Sequence, residues 1–70
     1  MKKKLVSNVK DYRLKKGMNQ QQLADAVEVR RETIIRLERG DYNPSLQLAM
    51  DISEVLEVSI YELFHFEPIE

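Results

Sequence analysis

The chain has 70 residues with a net charge of −1 at pH 7, a length sufficient for one domain around one small core, and we expect residues 1–70 to form a single domain. There is no cysteine and one histidine, His65, which excludes a disulfide framework and most zinc sites, and no metal or cofactor is expected. No apolar run approaches the roughly 18 residues of a membrane span, and the basic start lacks the apolar segment of a signal peptide. The composition therefore favours a cytoplasmic protein that neither enters a membrane nor carries an evident small-molecule site.

Charge is divided unevenly along the chain. Residues 1–39 contain all eleven Lys and Arg and five acidic residues, a net charge of +6. Residues 40–70 contain seven acidic residues and no Lys or Arg, a net charge of −7. If the halves fold side by side, the molecule presents one basic and one acidic face, although chance clustering remains an alternative in a short sequence. A basic face suits nucleic acid, so the first half is the candidate binding surface.

The periodicity of apolar residues predicts three helices in the basic half, at about residues 7–16, 20–27 and 31–39. Gly17 and Gly40 follow the first and third helices, where a helix stop is expected. Ser7 or Asn8 can cap the first helix, and Asn19 can cap the second. Only three or four residues separate the second and third helices, a spacing typical of a helix-turn-helix.

The acidic half predicts two further helices and one end of a ribbon. Ser45 can cap a fourth helix and Ser59 a short fifth helix over 60–64. Residues 65–68 and 4–6 alternate polar and apolar, which predicts a small two-stranded β-ribbon between the chain ends, marginal in isolation. The expected fold is all-α, with five helices and this ribbon.

The helix at 31–39 has the properties of a helix that enters a DNA groove. The major groove of B-DNA is about 12 Å wide and admits one helix, which must be short, polar outside and held by a second helix. Ile34 and Leu37 point inward on such a helix. The residues predicted to read base edges are Arg30, Arg31, Glu32 and Arg36.

Two residues on this helix have open alternatives. An arginine can bind guanine through two hydrogen bonds or contact phosphate, whereas a glutamate can accept from cytosine and is repelled by phosphate. Glu32 therefore either accepts from a base, complements the helix N-terminus, or pairs with Arg36 one turn later. Ile35 packs against the first helix or on a thymine methyl, with the first alternative favoured.

Five segments carry a resemblance to a known family: residues 20–24 (QQQLA), 29–34 (VRRETI), 37–40 (LERG), 42–46 (YNPSL) and 58–64 (VSIYELF). In order and spacing they resemble the lambda-repressor-like, Cro/cI-type (XRE) helix-turn-helix family. The resemblance spans about residues 8–64 and is closest to very small bacterial transcriptional regulators. It implies a five-helix DNA-binding domain.

The resemblance also implies roles outside the reader helix. The residues placed at the DNA backbone are Asn19, Gln20, Arg39, Tyr42 and Asn43. Gln20 would donate to phosphate from the start of its helix, the alternative being a solvated surface glutamine. Arg13 and Glu38 align with residues that commonly form a structural ion pair. The Lys2–Lys4 run is a solvated tail or adds phosphate contacts.

The sequence departs from the family pattern at three positions. Glu28 and Glu57 stand where glycines usually adopt left-handed backbone angles, which cost another residue roughly 1 kcal/mol. Either these turns differ or the strain is tolerated. Arg30 stands where the family usually has a capping Ser or Thr. The loss of that cap costs about 1 kcal/mol of helix stability. A positive charge at this position favours a contact between Arg30 and DNA.

These observations predict sequence-specific binding to double-stranded DNA by a small transcriptional regulator, a repressor acting as a homodimer on an inverted repeat. One domain reads few base pairs, and two-fold pairing places two reader helices about 34 Å apart on successive major grooves. The residues predicted at the dimer interface are Asn43, Ile60, Tyr61, Phe64 and Phe66. The alternative is that these side chains only complete the core of a single chain. An antitoxin with the same fold is the alternative function, and no catalytic constellation suggests an enzyme.

Overall fold

The computed structural model describes residues 2–69 and contains the five predicted helices and the predicted ribbon. The elements are β1 (Lys3–Ser7), α1 (Val9–Lys15), α2 (Gln20–Ala26), α3 (Arg31–Glu38), α4 (Leu46–Leu56), α5 (Ile60–Leu63) and β2 (Phe64–Pro68). The prediction that α5 includes Phe64 is wrong. Phe64 has extended backbone angles, φ −137° and ψ 141°, because it begins the strand that pairs with β1.

Side-chain caps begin three of the helices. Asn19 accepts a hydrogen bond from the Gln22 backbone N–H at the start of α2, and Ser45 and Ser59 cap α4 and α5 in the same way. Each such cap stabilises its helix by about 1 kcal/mol. Because a cap depends on neighbouring residues alone, all three were predictable from the sequence.

Asn8, one of the two residues predicted to cap α1, occupies the cap position, but its side chain makes no capping hydrogen bond. Its amide donates instead to the Glu62 carbonyl, 3.2 Å away. The Ser7 hydroxyl accepts from the Val9 N–H at 3.3 Å. The Asn8 side chain therefore ties the start of α1 to α5, a contact that no local pattern indicates.

Glu28 and Glu57 keep the left-handed backbone of the family's glycines, with φ of 58° and 57°. The left-handed turns are therefore present in this chain without glycine, and the strain of roughly 1 kcal/mol at each is tolerated. The Glu57 carboxylate accepts a hydrogen bond from Lys16, at the end of α1. That hydrogen bond and the positive charge of Lys16 lower the pKa of Glu57 below its ordinary value.

The core lies between the helices and is closed at one end by the ribbon. Its largest fully buried side chains are Leu23, Ile34, Leu37, Ile52, Leu63 and Val9. Together they come from all five helices, so every helix buries an apolar face. Within residues 2–69, no helix is both long and apolar enough to cross a membrane.

The turn after α3 packs directly on the ribbon. β1 and β2 run antiparallel, with Leu5 opposite Phe66 and Ser7 opposite Phe64. Gly40 has φ +79°, and a Cβ on it would lie 2.6 Å from the Leu5 carbonyl oxygen. A side chain at position 40 would therefore push against backbone that cannot rotate away.

Gly40→Ala is expected to destabilise the protein clearly more than Gly17→Ala. Gly17 has a similar φ of +74°, but a Cβ there meets nothing within 4 Å. Gly17→Ala thus carries the left-handed strain of roughly 1 kcal/mol alone, whereas Gly40→Ala adds displacement of β1. Urea unfolding followed by circular dichroism measures both. Equal losses in the free energy of unfolding would show that β1 can move away from position 40 without cost.

Candidate DNA-binding surface

α2 and α3 form a compact helix pair in which one helix supports the other. α2 buries Leu23 and Ala24, and α3 buries Ile34 and Leu37. The short link between them is closed by a hydrogen bond from the Val29 N–H to the Ala24 carbonyl, 3.0 Å long. Packing of both apolar faces into one core leaves the opposite face of α3 at the surface.

The four predicted base readers are all exposed on or before the first turns of α3. Arg30 ends the link with extended backbone angles, φ −74° and ψ 148°, and its side chain does not cap the helix. Arg31, Glu32 and Arg36 follow along the helix, and all are exposed. Among the described residues, Glu32 and Arg36 form no ion pair.

A buried ion pair joins α1 to the end of α3. Arg13 Nε donates to Glu38 Oε2 at 2.7 Å and Arg13 Nη2 donates to Glu38 Oε1 at 3.1 Å, while Nη1 donates to the Met18 carbonyl at 2.9 Å. The two side chains are 6% and 5% exposed. Two parallel hydrogen bonds between a guanidinium and a carboxylate fix both distance and orientation. The pair therefore holds the end of α3 against α1.

Gln20 connects this ion pair to the exposed surface. Its Nε2 donates to Glu38 Oε1 at 3.2 Å, and its Oε1 accepts from Arg31 Nη2 at 3.4 Å. Nothing in the sequence indicates the contact with Glu38, because the two residues lie 18 positions apart. The side-chain amide has two N–H groups, so one remains for a phosphate.

The other residues predicted at the DNA backbone differ in their surroundings. The Asn19 side chain is used as the cap of α2, and Tyr42 is half-buried against the core. Arg39 and Asn43 are exposed at and after the end of α3. Ile35 is half-buried on α3.

A separate apolar groove of about 290 Å³ lies beside the turn that follows α3. It is lined by Leu5, Asn43, Pro44, Leu46, Ala49, Ile60, Phe64 and Phe66. Four of the five residues predicted at a dimer interface are among them, and the fifth, Tyr61, is 92% exposed outside the lining.

Burial differs among the residues that line this groove. Phe64 is only 9% exposed and belongs to the core of its own chain, although it also lines the groove. Leu46, at the start of α4, is 73% exposed. Helical spacing gives the direction of a side chain but not where the neighbouring elements end.

In the part of the chain that the structure describes, no group of three or more His, Cys, Asp or Glu side chains could hold a metal ion. The exposed polar groups on and beside α3 are arginines and the Glu32 carboxylate, with the Gln20 amide next to Arg31. Groups of these kinds can form hydrogen bonds with base edges and phosphates.

Comparison with known proteins assigns this arrangement to a family. A family model described as Helix-turn-helix matches residues 9–63, which include all five helices. The chain belongs to the helix-turn-helix family. Its type is the lambda-repressor-like (XRE) one that the sequence motifs resemble.

Individual proteins agree with this assignment. An uncharacterized HTH-type transcriptional regulator of Archaeoglobus fulgidus is 48% identical over 64 residues, covering 91% of each chain. The restriction-modification controller protein C.AhdI from Aeromonas hydrophila is 30% identical with a TM-score of 0.73, covering 80% of this chain and 85% of that one. The transcriptional regulator VanUg, 21% identical with a TM-score of 0.80 over 99% and 92% of the chains, shows the shared fold. This helix-turn-helix protein is a transcriptional regulator with a DNA-binding domain.

Proposed function

We propose that this helix-turn-helix regulator recognises a specific double-stranded DNA sequence through α3 and represses transcription as a homodimer on an inverted repeat. The observation that carries the proposal is that Arg30, directly before α3, and Arg31 and Arg36 on α3 are exposed, while the helix is fixed by a buried ion pair. A reader must be both accessible and rigid, because base contacts discriminate only when their geometry is held. Repression needs no further activity, since occupancy of an operator excludes other proteins.

The proposed contacts divide into two classes. Arg30, Arg31, Glu32 and Arg36 face base edges, since residues of the first turns of a reader helix reach them most easily. Phosphate contacts come from residues beside the reader helix, which orient the domain without selecting a sequence. These are Asn19, Gln20, Arg39, Tyr42 and Asn43. The proposed location is the cytoplasm, because chromosomal DNA is the ligand.

A homodimer supplies the specificity that one α3 lacks. A helix of eight residues contacts a few base pairs, too few to select one site in a genome. The apolar groove beside the turn after α3 is the proposed contact surface. None of the proposed base readers lines it, so a partner in the groove leaves α3 free. We do not propose the antitoxin alternative, since no feature of residues 2–69 favours it over a regulator.

Arg31→Ala is expected to weaken binding to the preferred site by about 1–3 kcal/mol and binding to random DNA by less. The physical reason is the loss of a guanidinium that can bind one base edge through two hydrogen bonds. The preferred site is first selected from random-sequence duplexes, and affinities are then measured by fluorescence anisotropy on selected and scrambled DNA.

The matched control is Lys10→Ala, which removes the same charge from an exposed position on α1. This variant is expected to lower affinity for both DNAs to the same small extent. Equal losses on selected and scrambled DNA for Arg31→Ala would instead assign Arg31 to phosphate and overturn its role as a base reader.

A further inference from the structure

The backbone of the ribbon shows which groups point away from it. Hydrogen bonds from the Asn8 N–H to the Leu63 carbonyl, 2.8 Å, and from the Ile69 N–H to the Lys2 carbonyl, 3.1 Å, mark the two ends of the ladder. In an antiparallel ladder, hydrogen-bonded and non-hydrogen-bonded pairs alternate. In the observed register, Leu5 and Phe66 therefore form a non-hydrogen-bonded pair, and their N–H and C=O groups point outward.

The outer edge of β1 is already covered, whereas that of β2 is open. The outward carbonyl of Leu5 faces Gly40, where even a Cβ would lie 2.6 Å from it. On β2, the Phe64 N–H is bonded to the Ile60 carbonyl, and Pro68 has no N–H. Phe66 thus carries the one outward N–H of β2, and within residues 2–69 neither this N–H nor its carbonyl has a hydrogen-bond partner.

We infer that β2 pairs antiparallel with β2 of a second copy of this chain, about a two-fold axis at Phe66, to form a four-stranded sheet. This inference rests on the proposed homodimer and specifies how its copies meet. With Phe66 opposite Phe66 of the partner, each residue donates one N–H to the other's carbonyl, so both outward groups are satisfied. A two-stranded ribbon is marginal in water, and a sheet of more strands with an apolar face is not.

The apolar groove argues for a second copy rather than an unrelated strand. Directly paired residues share a face, so Phe66 lies on the groove side together with Leu5. Phe66 is 52% exposed there. A partner β2 places its own Phe66 beside this ring, with Cβ atoms about 4.5–5.5 Å apart, and so adds apolar surface over the groove. All eight residues lining the groove are uncharged, although 33% of the chain is charged.

The opposite face of the sheet is also self-complementary. Register about Phe66 sets His65 of each copy against Glu67 of the other, so acidic residues do not face each other. An acceptor opposite a potential cation stabilises a cross-strand pair, whereas like charges destabilise it. The assembly stops at two copies, because the outer strands of the new sheet are the two β1 strands that Gly40 covers.

Engineered cysteines test this register directly, since the chain has no cysteine of its own. His65 and Glu67 of opposite copies would form a non-hydrogen-bonded pair with Cα atoms about 4.5 Å apart, within the range that a disulfide requires. Chains carrying His65→Cys and chains carrying Glu67→Cys are mixed in equal amounts at micromolar concentration and oxidised in a glutathione buffer. Both positions are about half exposed, so the substitutions leave the core intact.

The expected result is a covalent heterodimer in clear excess over the one-half share that random pairing gives, with little of either homodimer. A mixture of Lys10→Cys and His65→Cys chains measures random collisions, because Lys10 is exposed on α1, outside both the strand and the predicted dimer interface. Sedimentation equilibrium of the unmodified chain gives its mass in solution.

A dimeric chain with only random cross-linking would overturn the β2 pairing and leave the proposed homodimer standing. A chain that is monomeric while it binds the inverted repeat tightly would overturn both. The base-reading role of α3 is decided separately by Arg31→Ala.

Discussion

Arg13→Ala is expected to lower the free energy of unfolding by about 3–5 kcal/mol, the cost of removing one partner from a buried ion pair. The Glu38 side chain, 5% exposed in the intact protein, would keep the Gln20 amide as its remaining observed donor, and the Met18 carbonyl would lose the guanidinium. A buried charge without its counterion is costly because one neutral hydrogen bond does not replace the hydration that the charge has lost. Urea unfolding monitored by circular dichroism gives the loss directly.

Two matched variants separate burial from charge. Lys16→Ala removes a cation from the exposed pair with Glu57 and is expected to change stability little, because solvent screens such pairs. The double variant Arg13→Met, Glu38→Leu is expected to recover much of the loss, since replacing both charges with apolar groups leaves none unpaired. If Arg13→Ala unfolds at the same urea concentration as the parent while DNA binding disappears, Arg13 is a DNA contact and the structural role is wrong.

Binding to the selected DNA site is expected to weaken steeply with salt. In the proposed complex Arg39 of each copy neutralises a phosphate, while Arg30, Arg31 and Arg36 of each copy bring further positive charge into the groove between the phosphates. Each phosphate charge that these arginines neutralise steepens the plot of log K against log salt by about 0.9. With about six or more charges neutralised in the dimer, affinity falls about 10³-fold or more between roughly 50 and 200 mM salt. Residues 40–70 contain no Lys or Arg and therefore contribute no charge that could neutralise a phosphate.

Fluorescence anisotropy titrations at constant pH over this salt range measure the slope. Arg39→Ala is the informative variant, because loss of one phosphate contact per copy reduces the steepness by about 1 for each copy while the preference among sequences stays the same. A nearly flat plot would contradict the assignment of a phosphate-contacting face. The family membership rests on the match over residues 9–63 and would be unaffected.

Local patterns were sufficient for most of the backbone. The helices follow from apolar spacing, and the caps at Asn19, Ser45 and Ser59 follow from side chains that bond backbone two or three residues away. The ribbon follows from alternation at the two chain ends. Even the left-handed turns at Glu28 and Glu57 could be located, because the residues around them match a family in which those positions are glycine.

Contacts between distant parts of the chain could not be derived in this way. Arg13 and Glu38 lie 25 positions apart, and only resemblance to a family paired them, while the Gln20 amide that links them to Arg31 left no pattern in the sequence. Such contacts depend on the angle at which α1, α2 and α3 pack. That angle is set by the shapes of buried side chains from several helices at once.

Burial at the ribbon was likewise decided by tertiary structure. Phe64 and Phe66 belong to the same strand and the same face, so alternation alone predicts the same environment for both. Phe64, directly after α5, is 9% exposed and joins the core, whereas Phe66, two residues further along β2, is 52% exposed. Alternation along the strand predicts which residues are apolar and which face they share. Where the core ends along that face depends on the lengths and packing of the neighbouring helices, and therefore on the assembled fold.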